Sequence, residues 1–286
     1  SPLMWKNDYG LEVEQDSLWY FSSTGPRPDG LVAPTVVGPG SGVTSSPLWS
    51  GAPYLLAEGT SIATPHLAGA TALLLEAAKK QGVPAEPELV KKAITLGAKA
   101  MPQYTYAETG YGKANIYEAW RHLRRLESQA ALKSYTWNRR LGIGEGIYAR
   151  EFLPGLVPYR IQNLSNSAQI LFWKANVDWL RPWFKMTALP QGSYRDVLLD
   201  YVLPSKPGLY TGILEGRFLN YYGPEVAMLT TLIKPYNLNQ DNGYRMEMAE
   251  TLGAAQLKRY FFRVPPGTQS LQGLLIVPKG AEGYKG

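Results

Sequence analysis

The stretch Gly59-Thr60-Ser61-Ile62-Ala63-Thr64-Pro65-His66-Leu67-Ala68-Gly69 decides how the first half of this 286-residue chain is interpreted. After Ser61 no charged residue occurs before Glu76, and the intervening run is small or apolar on every side. This pattern predicts a helix from Ser61 to about Lys80 that is buried in a protein core. Ser61 would stand where that helix begins, next to free backbone N–H groups that suit an oxyanion. Pro65 fits such a start, because the first helical turn can spare an N–H.

These eleven residues closely resemble the serine motif of the subtilisin family of serine peptidases, usually Gly-Thr-Ser-x-Ala-(Ser/Thr)-Pro-His-x-Ala-Gly. Residues 21–30 and 34–40 resemble the segment that precedes this motif, although Gly38 stands where family members more often carry alanine. The resemblance implies that Ser61 is the nucleophile and that its N–H donates to the oxyanion. It also implies that Gly59 and Thr60 line the site beside the leaving group, and that the substrate is a peptide or protein.

The general base expected beside Ser61 is not evident in the sequence. Subtilisin-like enzymes order their triad Asp, His, Ser, yet only sixty residues precede Ser61 and none is histidine. His66 follows by five helical positions, which places it about 140° around the helix axis and about 7.5 Å along it. It is interpreted as a packed helix residue, and in the family it belongs to the serine motif. His122 has cationic neighbours that disfavour an imidazolium, and it is interpreted as a surface residue.

The triad acid and the oxyanion asparagine are also not recognised. The aspartates before Ser61 are Asp8, Asp16 and Asp29, and none lies in the strand-then-Asp-(Ser/Thr)-Gly setting of the family. Asp29-Gly30 is interpreted as a turn, and Asn7 lacks the family's Gly-Asn surroundings. We therefore expect residue 1 to fall inside a longer catalytic domain whose N-terminal half supplies Asp, His and Asn. On this view the chain alone is inactive.

The predicted fold class is α/β, with the C-terminal half of a subtilisin-like parallel-sheet domain followed by an antiparallel β-sandwich domain. Residues 1–127 form the first domain, with short strands at 12–22 and 31–38 and further helices from Pro87 and at about 114–126. Residues 134–286 form the second, because short β-rich runs alternate there with Pro, Gly and Asn turns. Those runs are 159–163, 169–173, 197–203, 209–216 and 273–277. Parts of this region resemble the β-sandwich of tripeptidyl-peptidase II-like subtilases, which implies positioning of protein substrates or assembly of a homo-oligomer.

Composition excludes several other classes of protein. A hydrophobic content of 45% supports one or two cores, and no apolar run of about 18 residues outside the serine helix indicates a membrane span. Zero cysteines exclude disulfides and thiolate metal sites, and no cofactor or metal is expected. The compartment stays open between extracellular and cytoplasmic, with secretion favoured. Residues 128–286 carry 18 basic and 11 acidic residues, but these are scattered, so nucleic acid is not expected as a partner.

Two weaker signals and one rival function remain. Residues 237–243 place oxygen-bearing side chains at alternating positions, but they lack the Gly and Glu of a calcium loop and predict a polar turn. A set of aromatic residues is interpreted as core in preference to a stacking platform for sugar or peptide: Trp173, Trp179, Trp183, Tyr221 and Tyr222. The rival function is a non-catalytic binding or structural protein that keeps the serine motif for packing. The intact Gly-Thr-Ser favours the peptidase.

Overall fold

The computed structural model describes residues 2–10, 12–13, 15–126, 131–138, 142–150, 157–202, 204–219, 221–253 and 256–277. They form two compact units, one of residues 22–233 and one that joins residues 1–21 to residues 234–286. Residue 127, the predicted end of the first domain, lies outside the described residues, and the division into domains 1–127 and 134–286 stays a prediction. None of the described helices has the length and hydropathy needed to span a bilayer.

Helices dominate the first part of the larger unit. They are α2 (Thr60–Gln81), α3 (Pro87–Gly97), α4 (Tyr106–Thr109) and α5 (Ile116–Leu123), and they follow α1 (Pro2–Tyr9) of the other unit. The predicted α2 and α3 are confirmed, whereas α5 is shorter than predicted because the Asn115 side chain caps it by accepting the Glu118 N–H. The antiparallel hairpin of β1 (Ser41–Ser45) and β2 (Tyr54–Glu58) lies before α2.

The strands expected at residues 12–22 and 31–38 are wrong. The described residues of these segments form turns, bends and irregular chain, and Val37 makes only an isolated parallel bridge with Lys113. A strand forms only where a neighbour pairs with it, and the described residues 22–126 provide no such neighbour. The extended parallel sheet predicted for this part is therefore not formed by the described residues.

The second part of the larger unit is built from strands. The strands are β3 (Leu132–Asn138), β4 (Gly142–Gly144), β5 (Ile147–Ala149), β6 (Tyr159–Asn163), β7 (Gln169–Ala175), β8 (Leu180–Pro182), β9 (Met186–Leu189), β10 (Tyr194–Val197), β11 (Leu199–Tyr201), β12 (Gly208–Arg217) and β13 (Val226–Lys234). A four-stranded sheet has the order β10-β6-β3-β4, a five-stranded sheet has the order β5-β13-β12-β7-β9, and β11 pairs with β8. β5 pairs with β13 in parallel, whereas the pairings of β3 with β4 and β6, of β6 with β10, of β8 with β11, and of β7 with β9 and β12 are antiparallel.

Both larger sheets contribute to one hydrophobic core. Tyr159 and Ile161 of β6 pack in the same cluster as Leu171, Leu214 and Met228 of the five-stranded sheet. The Tyr159 hydroxyl, fully buried, donates to the Leu229 carbonyl and accepts the Ile147 N–H at 3.1 Å. Burial raises the pKa of Tyr159 well above its usual value, so it stays a neutral donor.

Several contacts join the helical and the strand-rich parts of this unit, and three of them are polar contacts that involve α3, Asp29 and α4. Lys92 of α3 forms an ion pair with Glu225 at 2.8 Å, and the Asp29 carbonyl accepts the Gly146 N–H at 3.0 Å. The Tyr106 N–H donates to Thr211 at 3.0 Å. These contacts are polar and specific, so the two parts are held in one arrangement within the unit.

In the smaller unit, β14 (Tyr236–Asn237) pairs with β15 (Phe262–Arg263), and a short 3-10 helix covers Gln240–Asn242. The predicted polar turn is confirmed, since the Asn239 side chain caps this helix. The strand predicted at 273–277 is wrong, because those residues lie exposed and outside any strand. Of the five aromatic residues interpreted as core, Trp173 is buried, whereas Trp183 and Tyr221 are exposed.

Candidate active site

The backbone at Gly59 places Ser61 at the start of α2. Gly59 is the N-cap, with φ 146° and ψ 161°, a conformation that L side chains rarely adopt. A Cβ at this position would lie 3.1 Å from Ser61 Oγ. The Gly59 N–H donates to the Gly40 carbonyl at 2.8 Å, and its carbonyl accepts the Ile62 N–H at 3.0 Å. Gly59 therefore fixes the turn into α2 and leaves space for the serine hydroxyl.

Ser61 is exposed, and its hydroxyl makes no hydrogen bond to any other described residue. Ser61 is the second residue of the helix, and the first four N–H groups of a helix have no partner inside it. Gly59 takes up those of Ile62 and Ala63, which leaves the N–H groups of Thr60 and Ser61 free of helical bonds. A hydroxyl beside unpaired N–H groups at a helix N-terminus is an arrangement that can bind a carbonyl oxygen as it gains negative charge.

Pro65 lies deeper in the helix than predicted. It is the sixth residue of α2, beyond the four positions whose N–H groups are free anyway, so its placement in the first turn is wrong. The missing N–H would have bonded the carbonyl of Ser61, four residues earlier. The carbonyl of the candidate nucleophile is thus left without its helical donor.

Neither histidine bonds to Ser61. His66 Nδ1 lies 2.8 Å from the Ile62 carbonyl, one turn back along α2, and its ring packs over Gly42. His122 Nδ1 lies 2.6 Å from the Tyr222 hydroxyl. Burial lowers the pKa of His122, and Arg125 and Arg121 act in the same direction against Glu118. Because His122 packs on Tyr222, it is less exposed than the surface position predicted for it.

Asp29, the aspartate that precedes Ser61 within the larger unit, forms a turn and no hydrogen bond to Ser61. Asp29 closes a turn by accepting the Leu31 N–H at 3.2 Å and pairing with Arg27 at 2.6 Å, as predicted. Asn7 is exposed on α1, and the side chain of Asp8 lies outside the described residues. Within the described ranges no three His, Asp or Glu residues lie close enough to hold a metal ion.

The expected burial of α2 is wrong for this chain. Leu74 and Ala78 are buried, but most of the helix faces solvent, and Leu73 is 64% exposed. Ala68, Gly69 and Ala72, which the sequence assigned to a core, are also exposed. The described residues cover the helix mainly on the side of α3 and α5, so its apolar remainder has no packing partner among them.

One packing contact near the site was not predicted. A Cβ on Gly38 would lie 3.0 Å from Leu67 Cγ and 3.4 Å from the Ala63 carbonyl, so the glycine lets α2 approach residues 38–40 closely. The sequence could have indicated this contact, because Gly38 stands where the segment preceding the serine motif usually has alanine. Gly38 and Gly40 thus position the helix start that carries Ser61.

Comparisons with known proteins show which proteins this chain resembles. Residues 11–144 match the model of the subtilase family, peptidase S8. The chain is 30% identical to pyrolysin of Pyrococcus furiosus over 275 residues, which cover 88% of the chain and 20% of pyrolysin. It is 33% identical to tripeptidyl-peptidase 2 of Drosophila melanogaster over 124 residues, or 43% of the chain and 9% of that protein. The chain thus spans about a fifth or less of the length of these relatives.

The fold is similar to the crystal structure of tripeptidyl peptidase 2, with a TM-score of 0.57 and 18% identity over 76% of the chain and 21% of that structure. The structural likeness supports a mixed α and β fold, and the family match covers the segment that contains the Ser61 motif. Residues 11–144 of this chain, which contain the Ser61 motif, are thus similar to the subtilase family, peptidase S8.

Proposed function

We propose that this chain carries the nucleophile of a subtilisin-type serine peptidase, with Ser61 attacking the carbonyl of a peptide or protein substrate. The observation that carries the proposal is the position of Ser61, exposed at the start of α2 beside unpaired N–H groups. The family match over residues 11–144 supports the same chemistry.

The proposed reaction uses the partial positive charge at the start of α2 to stabilise the negative charge that forms on the substrate. A base takes the proton of the Ser61 hydroxyl as Oγ bonds to the carbonyl carbon, and the carbonyl electron pair moves onto its oxygen. The Ser61 N–H donates to that oxyanion, which the helix N-terminus also stabilises. The protonated base then gives its proton to the leaving amine, and water hydrolyses the acyl-enzyme in a second round. Gly59 and Thr60 line the site beside the leaving group.

The base, the acid and the oxyanion asparagine are proposed to come from a segment of the subtilase domain outside residues 1–286. No described histidine is bonded to Ser61, and the apolar side of α2 lacks a cover among the described residues. One segment would satisfy both needs, because it would bring the His and Asp to Ser61 and bury Leu73. Residues 1–127 would then be the C-terminal half of an α/β catalytic domain, and residues 134–286 a β-sandwich that positions substrates or builds an oligomer.

The test compares this chain with a longer protein, expressed from a gene segment that also encodes the residues preceding Ser1. We expect the longer protein to hydrolyse a fluorogenic peptide, and residues 1–286 alone to show no turnover. Ser61→Ala should reduce kcat by about 10⁶-fold, the loss found when the serine of subtilisin itself is removed. The control Ser45→Ala, an exposed serine on β1, should retain full activity. A longer protein that is folded but inactive would instead support the non-catalytic alternative.

A further inference from the structure

Residues 221–225, here named the docking loop, lie between β12 and β13 and extend from the five-stranded sheet onto α3. The Glu225 N–H donates to the Gly216 carbonyl of β12 at 2.8 Å, which fixes one end of the loop to the sheet. Gly223 has φ 82°, a conformation that favours glycine, and a Cβ there would lie within 3.3 Å of two side chains of α3. The glycine therefore lets the loop lie directly on this helix.

Tyr222 of the docking loop contacts the helices in three ways. Its hydroxyl lies 2.6 Å from Nδ1 of His122 on α5, and the guanidinium of Arg125 lies 5.5 Å from the centre of its ring. The ring also packs against the hydrophobic cluster that α2, α3 and α5 form together. Leu74 and Ala78, the buried residues of α2, belong to this cluster, and among the described residues of the strand-rich part only Tyr222 joins it.

The ion pair between the docking loop and α3 is buried. Lys92 Nζ lies 2.8 Å from Glu225 Oε1, and both side chains are almost completely removed from solvent. Displacing either partner would separate two opposite charges in a medium of low dielectric constant, so the pair is stable in one arrangement. It therefore fixes the position of α3 relative to the loop.

The other polar contacts between the helical and the strand-rich parts lie away from α2. The Asp29 turn meets Gly146, and α4 meets β12 through Tyr106 and Thr211. None of these four residues belongs to the cluster that contains the buried side chains of α2. The docking loop is therefore the described contact that connects the strand-rich part to the core of that helix.

We infer that Tyr222 and Glu225 are positioning residues for Ser61, because they hold α3 and α5, and through them α2, in one arrangement against the sheets. The inference rests on the proposed function for the role of Ser61, and it adds that the geometry of the active site requires the strand-rich part. The buried core of α2 is small, so the loss of one ring from it removes a large share of the contacts that hold the helix. A displacement of about 1 Å at a reacting group is sufficient to lower the rate by about 10²-fold.

The first test measures the position of α2 in residues 1–286 and does not depend on activity. The chain contains no cysteine, so Ala68→Cys on α2 and Lys174→Cys on β7, both exposed positions, accept two nitroxide labels at those sites alone. Double electron–electron resonance then gives the distribution of distances between the labels. We expect a narrow distribution in the labelled chain and a broader one in its Tyr222→Ala variant, where α2 is free to shift by about 1–2 Å or more.

Tyr221 provides the matched control on the same loop. It is 46% exposed, and its ring packs on Phe218 with 5.2 Å between the ring centroids. Tyr221→Ala should therefore leave the distance distribution unchanged. Tyr222→Phe keeps the ring in the cluster and removes the hydroxyl, so its distribution should lie between those of the unchanged chain and Tyr222→Ala. If Tyr222→Ala does not fold, Tyr222→Phe compared with Tyr221→Ala decides the question.

The second test measures turnover in the longer protein that includes the residues preceding Ser1. Active sites are counted by titration with a fluorophosphonate, so that unfolded molecules do not enter the rate. We expect Tyr222→Ala to lower kcat per titrated site by up to about 10²-fold with KM unchanged, and Tyr222→Phe to restore most of the loss. Tyr221→Ala should retain the kcat of the unchanged protein.

The two tests separate this inference from the proposed function. Equal distance distributions in Tyr222→Ala and the unchanged chain would overturn the inference, and so would the same broadening in Tyr221→Ala. An unchanged kcat per titrated site in Tyr222→Ala would also contradict it. A longer protein that is folded but inactive would contradict the proposed function instead, and the label distances would still decide whether the docking loop positions α2.

Discussion

The helical part, residues 22–126, and the strand-rich part, residues 131–233, bury their apolar side chains to very different extents. In the strand-rich part, residues of both larger sheets form one core in which Leu171, Leu189 and Leu214 are completely buried. In the helical part, the long α2 contributes only Leu74 and Ala78 to a smaller core with α3 and α5. Apolar side chains are thus buried in the strand-rich part and largely exposed on α2, because the two parts differ in the segments that pack against them. The two sheets of the strand-rich part bury each other's apolar side chains, whereas the exposed apolar side chains of α2 require a further segment to cover them.

The largest expected effect comes from separating the two predicted domains. Residues 134–286 contain the two-sheet core and should be soluble and melt cooperatively. Residues 1–127 leave most of α2 exposed and should aggregate or bind a hydrophobic dye. Circular dichroism melts and dye fluorescence of both fragments, with residues 1–286 as the reference, make the comparison. A stable 1–127 beside an unfolded 134–286 would show that the comparison is reversed.

The ion pair between the two parts should give the next largest effect. Lys92 and Glu225 have side-chain exposures of 9% and 0%, so Lys92→Met removes the cationic partner of a buried carboxylate at a cost of about 3–5 kcal/mol. Replacing both, as Lys92→Met with Glu225→Leu, also removes the buried negative charge and should restore most of that stability. Urea unfolding of both variants measures the free energies. A single variant no less stable than the double one would mean that this contact does not hold the parts together.

Two neighbouring leucines on α2 sharpen the comparison within one helix. Leu74 is 2% exposed and Leu73 is 64% exposed. We expect Leu74→Ala to cost about 2–5 kcal/mol of unfolding free energy, as in other cores. Leu73→Ala should change it by about 0.5 kcal/mol or less in residues 1–286. Equal losses in urea unfolding would show that the outer face of α2 is already packed in this chain.

The smallest effect concerns pH and His122. Burial lowers its pKa below 6.5, so the folded state binds this proton less readily than the unfolded state. The stability contributed by neutral His122 is therefore fully present above pH 6.5 and is lost as the pH falls through the lowered pKa. The melting temperature should fall more steeply with acidification than in His122→Asn, whose amide does not titrate. Parallel curves would show that protonation of His122 is not linked to folding.

The sequence predicted those features that local chemistry determines. The start and end of α2 follow from the Gly59 turn and the uncharged run, and the Asp29 turn follows from its own side chain. Strand β12 is predicted almost to the residue, because its apolar run is bounded by turn residues.

Features that depend on distant partners were missed. The apolar run at 273–277 meets the composition of a strand but pairs with no strand among the described residues. The hairpin of β1 and β2 lacks a clear alternation of apolar residues and was not recognised. The environment of α2 belongs to the same class, because its composition describes a buried helix whether or not the covering segment is present.

The central claim, that Ser61 is a nucleophile completed by another segment, is tested most directly by labelling with a fluorophosphonate. The reagent modifies only an activated serine, and peptide mass spectrometry locates the adduct. We predict labelling at Ser61 in the protein extended before Ser1 and none in residues 1–286 alone. Labelling of residues 1–286 at the same rate, or a folded extended protein that stays unlabelled at Ser61, would contradict the account.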